Sequence, residues 1–503
     1  YPDGTKVLAP GTVIVTAAAE VKDLKKAVRP VLKNDPDTAV VYIDLSSDDF
    51  ELGGSSFAQL LNGIGTKAPD VKDAAYFKQV FDTIQELIDQ ELIMAGHDVS
   101  AGGLITTLLE MNFANTDFGM EISLDSFQKL DIIQLLFSEK PAIVLQLKKD
   151  SPAFETLSKA QINFATIGKP IADRLLILHH YKDSYTLDID ALRDSWFKSS
   201  YLLDKMQSGE KFALRRFKNY KKQDLEFSFG KDFTGKLSSY GLEASRRKAS
   251  GLKAAIIREK GVNGDREMAY ALHLAGFDVK DIHMTDLISG REDLTDVQMI
   301  AFVGGFSNSD VLGSAKGWAG AFLYNTKAKQ ALDNFYARPD TLSLGVCNGC
   351  QLMMELNLVF PDHPEKALML PNDSGKFESG FINVDIPANN SVMLKSLSGK
   401  RLGVWIAHGE GKFSFPCYKD NYNLVMQYGQ EEYPGNPNGS DFATAAVCSN
   451  DGRHLAMMPH IERSFLPWQW AHYPEHREQD EVSPWIEAFV NARKWIENTK
   501  QTK

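Results

Sequence analysis

The stretch "TLSLGVCNGCQLMMEL" (341–356) constrains the fold more than any other part of the chain. An apolar β-type run at 341–346 passes through one residue, Cys347, into an apolar run with helical spacing. Gly345 and Gly349 flank the cysteine, giving G-x-C-x-G, the cysteine form of the strand-to-helix nucleophile elbow, which needs small neighbours and exposes the side chain. A buried strand that feeds a covering helix belongs to a parallel sheet with helices on its faces. The preceding sequence repeats that alternation: "LKAAIIRE" (252–259) reads as a buried strand, "REMAYALHLAGF" (266–277) as a helix closed by Gly276, "DVKDIHM" (278–284) as a strand, and "VQMIAFVGGFS" (297–307) as a strand ending in a Gly-Gly turn. The second half is therefore predicted to be α/β, with Gly304–Ser307 and the elbow both at C-terminal strand ends, where such sheets hold ligands.

The first part also mixes strands and helices. "GTVIVTAAAEV" (11–21) and "TAVVYIDLS" (38–46) read as β-rich runs, "KDLKKAVRPVL" (22–32) has helical spacing, and "DAAYFKQVFDTIQELIDQELIMAG" (73–96) reads as a long amphipathic helix with a Gly stop. Alternation continues to "INFATIGKPI" (162–171), as α/β or α+β. Between 173 and 250 the composition turns polar and Gly/Ser/Lys-rich, which predicts a packed or semi-ordered connection in which Trp196, Phe212, Phe217, Phe227 and Phe229 seek burial. The expected domains are 1–172, a connecting segment 173–250, and 251–503.

At 503 residues, 43% hydrophobic and 24% charged, the chain has the composition of an ordinary globular protein. Its net charge of −11, without a basic block longer than "RRK", argues against nucleic-acid binding as a main function. No apolar run approaches the roughly 18 residues that span a bilayer. The start, "YPDGTKVLAPGTVIV", lacks an initiator Met and has no signal-peptide pattern, and reads as a cut through a longer protein. Four cysteines are too few for a disulfide framework and favour a reducing, cytoplasmic setting.

Cys347 and Cys350 form a CxxC, so redox use stays open beside nucleophilic use. A structural zinc site would need a second pair, which Cys417 and Cys448 do not supply. The glycine frame favours Cys347 as nucleophile, with the N–H groups of the following helix available to a developing oxyanion. A thiol nucleophile needs a base, normally a His oriented by a carboxylate. Three places offer one: "MPHIER" (His460, Glu462), "AHGEG" (His408, Glu410) and "AHYPEHRE" (His472, His476, with Glu475 and Glu478). The residues alone leave His460 and His408 both open, with the third group behind them.

"GVCNGCQ", "GGFSNSDVLGSAKGWA", "AHGEG", "YPGNPNGS" and "MMPHIERSF", in that order, resemble the glutaminase domain of the phosphoribosylformylglycinamidine synthase family, of the large single-chain type. "REKGVNGDREMAYALHLAGFDV" and "SPWIEAFVNARKWI" extend the likeness over 252–503. The resemblance implies a class I glutamine amidotransferase triad of Cys347, His460 and Glu462, with Gly305, Phe306 and the N–H of Asn348 at the oxyanion hole and His408 as a neighbour. Ile461 stands where the common class I motif has proline. "APGTVIVTAAAEVKDL", "IDLSSDDFELGGSSFAQ", "GHDVSAGGL", "LEMNFAN" and "LFSEKPA" resemble the end of the synthetase domain of the same family, whose halves are each similar to aminoimidazole ribonucleotide synthetase. That likeness implies an α+β half-domain over 1–172, with Asp98 as a Mg²⁺ ligand and Ser100 as an ATP/ADP contact at a catalytic or auxiliary nucleotide site.

The activity so implied is hydrolysis of glutamine at Cys347, with the ammonia used in ATP-dependent conversion of formylglycinamide ribonucleotide to formylglycinamidine ribonucleotide. The glycine-rich ATP loop and most Mg²⁺ ligands of the family lie upstream of Tyr1, so an N-terminal part of the same enzyme is the expected partner and a monomer the expected state. Amidotransfer to another acceptor, a glutamine-sensing scaffold and a CxxC redox protein are the competing readings.

Overall fold

The computed structural model describes residues 2–6, 14–114, 116–127, 130–223 and 225–501. The chain divides into two compact units, Tyr1–Phe197 and Lys198–Lys503.

The first unit is built on a seven-stranded, mainly antiparallel sheet. Its strands are β1 (Thr38–Asp44), β2 (Ala95–Val99), β3 (Gly119–Ser123), β4 (Ala142–Lys148), β5 (Phe164–Ile171), β6 (Leu175–His180) and β7 (Asp183–Asp188), in the order β2-β4-β1-β5-β3-β6-β7. The central strand β1, "TAVVYID", is buried along six of its seven residues, as an apolar run flanked on both sides should be. The helix Ala74–Asp89 starts where the Asp73 carboxylate accepts the N–H groups of Ala75 and Tyr76, and it buries Val80, Ile84 and Leu87 on one stripe.

Three sequence expectations differ here. The helix ends at Asp89, Glu91 takes a left-handed φ of 56°, and Gly96 lies inside β2 instead of stopping the helix. In 22–32 only the single turn Leu24–Lys26 forms, because the restriction that Pro30 places on its predecessor leaves too few residues for a stable helix. Of the β-rich run 11–21, residues 11–13 lie outside the described residues, and 14–21 form no strand, with Ile14 and Val15 more than four-fifths exposed. The stretch 173–250 supplies β6 and β7 to this sheet and then the helical segment Ile189–Asn219, interrupted at Gly209.

The second unit holds a nine-stranded mixed sheet. Its strands are β8 (Lys253–Arg258), β9 (Asp278–His283), β10 (Met299–Phe302), β11 (Leu342–Val346), β13 (Glu378–Asp385), β14 (Arg401–His408), β16 (Leu424–Tyr428), β17 (Thr444–Cys448) and β18 (His454–Met457), with β12 (Leu368–Leu370) and β15 (Lys412–Ser414) paired separately. The run β18-β11-β10-β8-β9 is parallel, as the strand–helix alternation predicts. The other side, β14-β13-β16-β17, is antiparallel, and it joins the parallel run where β17 pairs antiparallel with β18. Helices Asp265–Leu274, Met284–Ser289, Lys316–Leu323, Thr326–Ala337, Asn348–Glu355 and Ile486–Gln501 belong to the same unit. Its core includes the fully buried Trp318, Trp485, Phe277 and Phe489. Phe227 and Phe229 pack edge-on against Trp470, and Phe212 against Tyr433, so these aromatics of the connecting stretch do find cover, whereas Trp196 stays 49% exposed.

Candidate active site

Three neighbouring parallel strands, β18, β11 and β10, deliver their C-terminal ends to one place. From β11 comes the elbow. Cys347 has φ 51° and ψ −107°, a sparsely populated conformation that costs on the order of 1–3 kcal/mol and persists where the surroundings impose it. Those surroundings are visible. The Cys347 N–H donates to Met457 O at 2.8 Å, and its carbonyl accepts the Gln351 N–H at 3.0 Å as the helix begins. A Cβ on Gly349 would lie 2.0 Å from Phe302 O, and one on Gly345 2.6 Å from Gly349 O, so both flanking positions have room for glycine alone.

From β18 come His460 and Glu462. His460 Nδ1–H donates to Glu462 Oε1 at 2.7 Å, and the two side chains are 2% and 0% exposed. The His460 N–H donates to Trp405 O at 2.9 Å, which fixes the histidine against β14. Ile461, in the place of the expected proline, is fully buried and anchors the turn Ile461–Arg463 by packing. Burial opposes a charged imidazole. The Glu462 charge, the Cys347 thiol and the hydrogen bond to Glu462 outweigh it and raise the His460 pKa to about 10. Among the described residues, His460 Nε2 has no hydrogen-bond partner, and the Cys347 thiol donates to Ala407 O at 3.4 Å. A Cβ placed on Gly304 would sit 2.8 Å from His460 Cε1 and 3.4 Å from Cys347 Cβ, which shows how closely base and nucleophile converge on that glycine.

From β10 comes the loop expected to bind an oxyanion. Gly305, at φ 140°, bridges Val262, and the bonds that make the bridge are Phe306 N–H to Gly261 O and Asn263 N–H to Gly304 O. The Phe306 N–H is therefore committed to Gly261, while the ring, 46% exposed, faces Phe377 at 5.9 Å. The Gly305 N–H takes no part in the bridge, and the Asn348 N–H belongs to the first helical turn, whose donors lack intrahelical acceptors. The Asn348 side chain ties the pieces together: Oδ1 accepts the Ser307 N–H at 3.2 Å, and Nδ2 donates to Gln351 Oε1 at 3.0 Å.

Of the other histidines, His408 adjoins the site but is braced as a neutral group. Its Nδ1–H donates to Asn372 Oδ1 at 3.2 Å, and burial, with the His460 charge, depresses its pKa to about 3. His472 and His476 are exposed. Cys350 is fully buried beneath the elbow, burial pushes its thiol well up, and all four cysteines are free. Sequence reasoning missed Gly304 as the residue that makes room for His460. Its signal, the Gly-Gly turn, is visible in the sequence, but the approach of β18 is not.

Asp98 and Ser100 lie in the first unit. Both are exposed, with the Asp98 side chain 71% accessible and His97 Nδ1 3.4 Å away. Glu139 Oε1 already accepts the N–H groups of Gly102 at 2.8 Å and Ser56 at 2.7 Å, donors that a phosphate would otherwise claim. Among the described residues, no three His, Cys, Asp or Glu side chains gather to hold a metal. The residues present do not make a complete Mg²⁺ or nucleotide site.

Residues 251–496 match the CobB/CobQ-like glutamine amidotransferase domain, and residues 37–180 match the AIR synthase related protein C-terminal domain. A probable phosphoribosylformylglycinamidine synthase of Arabidopsis thaliana, described as chloroplastic/mitochondrial, is 39% identical over 99% of this chain and 37% of its own length. A phosphoribosylformylglycinamidine synthase of Dictyostelium discoideum is 37% identical over 99% of this chain and 40% of its own. The chain thus spans about two fifths of the length of these curated relatives. A solved PurLQS structure from Thermotoga maritima is 24% identical and covers 50% of this chain and 99% of that chain, with a TM-score of 0.37.

Proposed function

We propose that this chain, which belongs to the phosphoribosylformylglycinamidine synthase family and carries the two domains of the C-terminal portion of its large single-chain type, hydrolyses glutamine at Cys347 to supply ammonia for the amidation of formylglycinamide ribonucleotide. The observation that carries this reading is the meeting of a strained cysteine elbow with a buried His460–Glu462 pair whose Nε2 is left open.

In this proposal His460, its pKa raised by Glu462, holds the Cys347 thiol proton at Nε2, and the thiolate sulfur attacks the carboxamide carbon of glutamine. The oxyanion is held by the N–H groups of Gly305 and Asn348, while Phe306 shapes the loop. His460 returns the proton to the departing ammonia, leaving a glutamyl thioester, then takes a proton from water, whose oxygen displaces the sulfur and releases glutamate. Glu462 orients the ring and stabilises its charged form. In the intact enzyme the ammonia is used in an ATP-dependent step by the synthetase part, most of which lies outside this chain. Asp98 and Ser100 can each add one group to a Mg²⁺–nucleotide site completed there. The free cysteines fit a reducing compartment such as the cytoplasm. No helix among the described residues is long and apolar enough to cross a membrane.

The test is covalent labelling with a glutamine-type chloroketone, mapped by mass spectrometry with and without glutamine. A single adduct on Cys347, suppressed by glutamine and absent from Cys347→Ala, is the expected result. An unlabelled Cys347, or labelling indifferent to glutamine, would overturn the reading.

A further inference from the structure

The loop after β10 borders a cavity as well as the elbow. The cavity, of about 440 Å³, is bounded by this loop at Ser307, Asn308, Val311 and Leu312, by Glu259 just past β8, and by Ala321 of the helix Lys316–Leu323. Cys347, His460 and Glu462 do not line it, and its volume is that of a small-molecule site. Two hydrogen bonds tie its wall to the catalytic apparatus. The Asn308 N–H donates to Lys260 O at 2.9 Å, next to Glu259, and the Ser307 N–H donates to Asn348 Oδ1 at 3.2 Å, on the residue after the nucleophile. The loop is also held in an uncommon shape. Asn308, Ser309 and Asp310 are three successive non-glycine residues with left-handed φ of 51°, 57° and 50°, a run that persists only where the surroundings impose it.

The lining groups select a ligand by charge. Glu259 is the one ionisable side chain among them, and it is only 12% exposed. Its Oε1 accepts the Lys260 N–H at 2.8 Å, while among the described residues no donor is bound to Oε2. His283 does not make up the difference: its Nδ1 accepts the Thr285 N–H at 3.3 Å, and its Nε2 stops 4.0 Å from Glu259 Oε1, beyond a hydrogen bond. Ser307, 1% exposed, has an Oγ without a hydrogen-bond partner among the described residues, although buried hydroxyls are almost always satisfied. Val311, Leu312 and Ala321 supply the apolar part of the wall. An anion would meet the Glu259 charge with no cation in the lining, and a purely apolar molecule would leave carboxylate and hydroxyl unpaired. A cation with several N–H donors on an apolar body satisfies all three.

We infer that this cavity is an effector site for a small organic cation, an ammonium or amidinium group on a short apolar body, whose occupancy steadies the loop that carries the Gly305 N–H. Glu259 Oε2 accepts a charge-assisted N–H bond, Ser307 Oγ accepts a further one, and the body lies against Val311, Leu312 and Ala321. A ligand there braces Ser307 to Asp310 in the conformation in which Ser307 holds Asn348, so it favours capture of glutamine at Cys347. By reciprocity, occupancy of the glutamine site tightens binding of the cation by the same factor. The cation takes no part in the hydrolytic chemistry. Its effect on Cys347 rests on the glutaminase reading above, whereas its binding does not.

The experiment uses the full chain and three probes of similar size, benzamidinium, benzyl alcohol and benzoate, titrated by calorimetry. Benzamidinium should bind about tenfold or more tightly than benzyl alcohol, the size of one charge-assisted hydrogen bond, and benzoate should not bind. Glu259→Gln should remove that preference, and Ala321→Leu, which fills the cavity from the helix side, should abolish benzamidinium binding. At saturating benzamidinium, labelling of Cys347 by the glutamine-type chloroketone should speed up about fivefold or more in the unaltered protein and stay constant in Ala321→Leu. Equal binding of the three probes, or a benzamidinium preference that survives both substitutions, overturns the site. Binding that leaves the labelling rate unchanged overturns the link to the loop. Should either variant melt at a lower temperature than the unaltered protein, Ser307→Ala decides, since it removes the hydroxyl without adding bulk: unchanged benzamidinium affinity rejects the assignment. Failure of the glutaminase reading shows itself separately, as absence of chloroketone labelling without any probe, and calorimetry still judges the cavity.

Discussion

Gly304 is the residue on which nucleophile and base converge. A methyl group there would meet His460 Cε1 at 2.8 Å, well inside contact distance, while its closest approach to Cys347 Cβ, 3.4 Å, is tolerable. Gly304→Ala should therefore tilt the imidazole away from the thiol and leave the elbow itself in place. Displacements of that size cost about a hundredfold in rate. Glutamine-protectable labelling of Cys347 by chloroketone should slow by that order, whereas the thermal midpoint changes little; a variant that labels at the normal rate would mean that His460 does not act on Cys347. The residues themselves announce part of this arrangement. The glycine frame marks Cys347 as a nucleophile, and the two-residue spacing of His460 and Glu462 offers an oriented base. What they cannot announce is which histidine arrives. His408 has an equally good local sequence but is turned to Asn372 by its Nδ1, a contact made across 36 positions.

Among the elements, the elbow is held by its neighbours more than by its own propensities. β11, "LSLGV", is buried at every position, and the helix Asn348–Glu355 is short for one so deeply set, with seven of its eight residues buried. Isolated helices of that length are unstable, so packing against β10 and β18 keeps it formed. Gly349→Ala places a methyl 2.0 Å from the Phe302 carbonyl oxygen, a rigid backbone atom of β10, and the helix has to move outward. A loss of more than about 3 kcal/mol is expected, beyond ordinary overpacking. It should appear as a lowered urea midpoint together with loss of Cys347 labelling, and a normal midpoint would show that the elbow is looser than its contacts imply. The parallel strands β8 to β11 were legible because each is an apolar run bounded by turn residues. The Gly96 stop failed where periodicity competed with tertiary pairing, since Ala95–Val99 is claimed by β4 and Gly96 becomes a strand residue, whereas the helix expected over 22–32 is cut short by Pro30. The antiparallel half of the second sheet was not legible either, since long loops separate its strands and their pairing is set by partners distant in the sequence.

For the molecule as a whole, three buried histidines of the second unit give stability a pH dependence of opposite sign on its two limbs. His408, with a pKa near 3, and His454, held down to about 4 by burial with Arg453 adding to the effect, stay neutral in the folded chain. The unfolded chain protonates both below about 6.5, so between roughly pH 6.5 and 4 it binds more protons, and stability falls as pH falls. His460 is the reverse case. Its folded pKa of about 10 exceeds the unfolded value, so its contribution is fully present below about pH 6.5 and is lost as pH rises toward 10. Each group changes the unfolding free energy by about 1.4 kcal/mol per pH unit within its window, so the acid limb, with two histidines, should be about twice as steep as the alkaline one. Urea melts of the unaltered chain and of His460→Asn, taken from pH 5 to 9, separate the two limbs. The variant should keep the acid slope and lose the alkaline one, because asparagine has no proton to release. Parallel curves between pH 7 and 9 would mean that His460 is not held protonated by Glu462, and the base of the proposed triad would then have to start from the neutral imidazole.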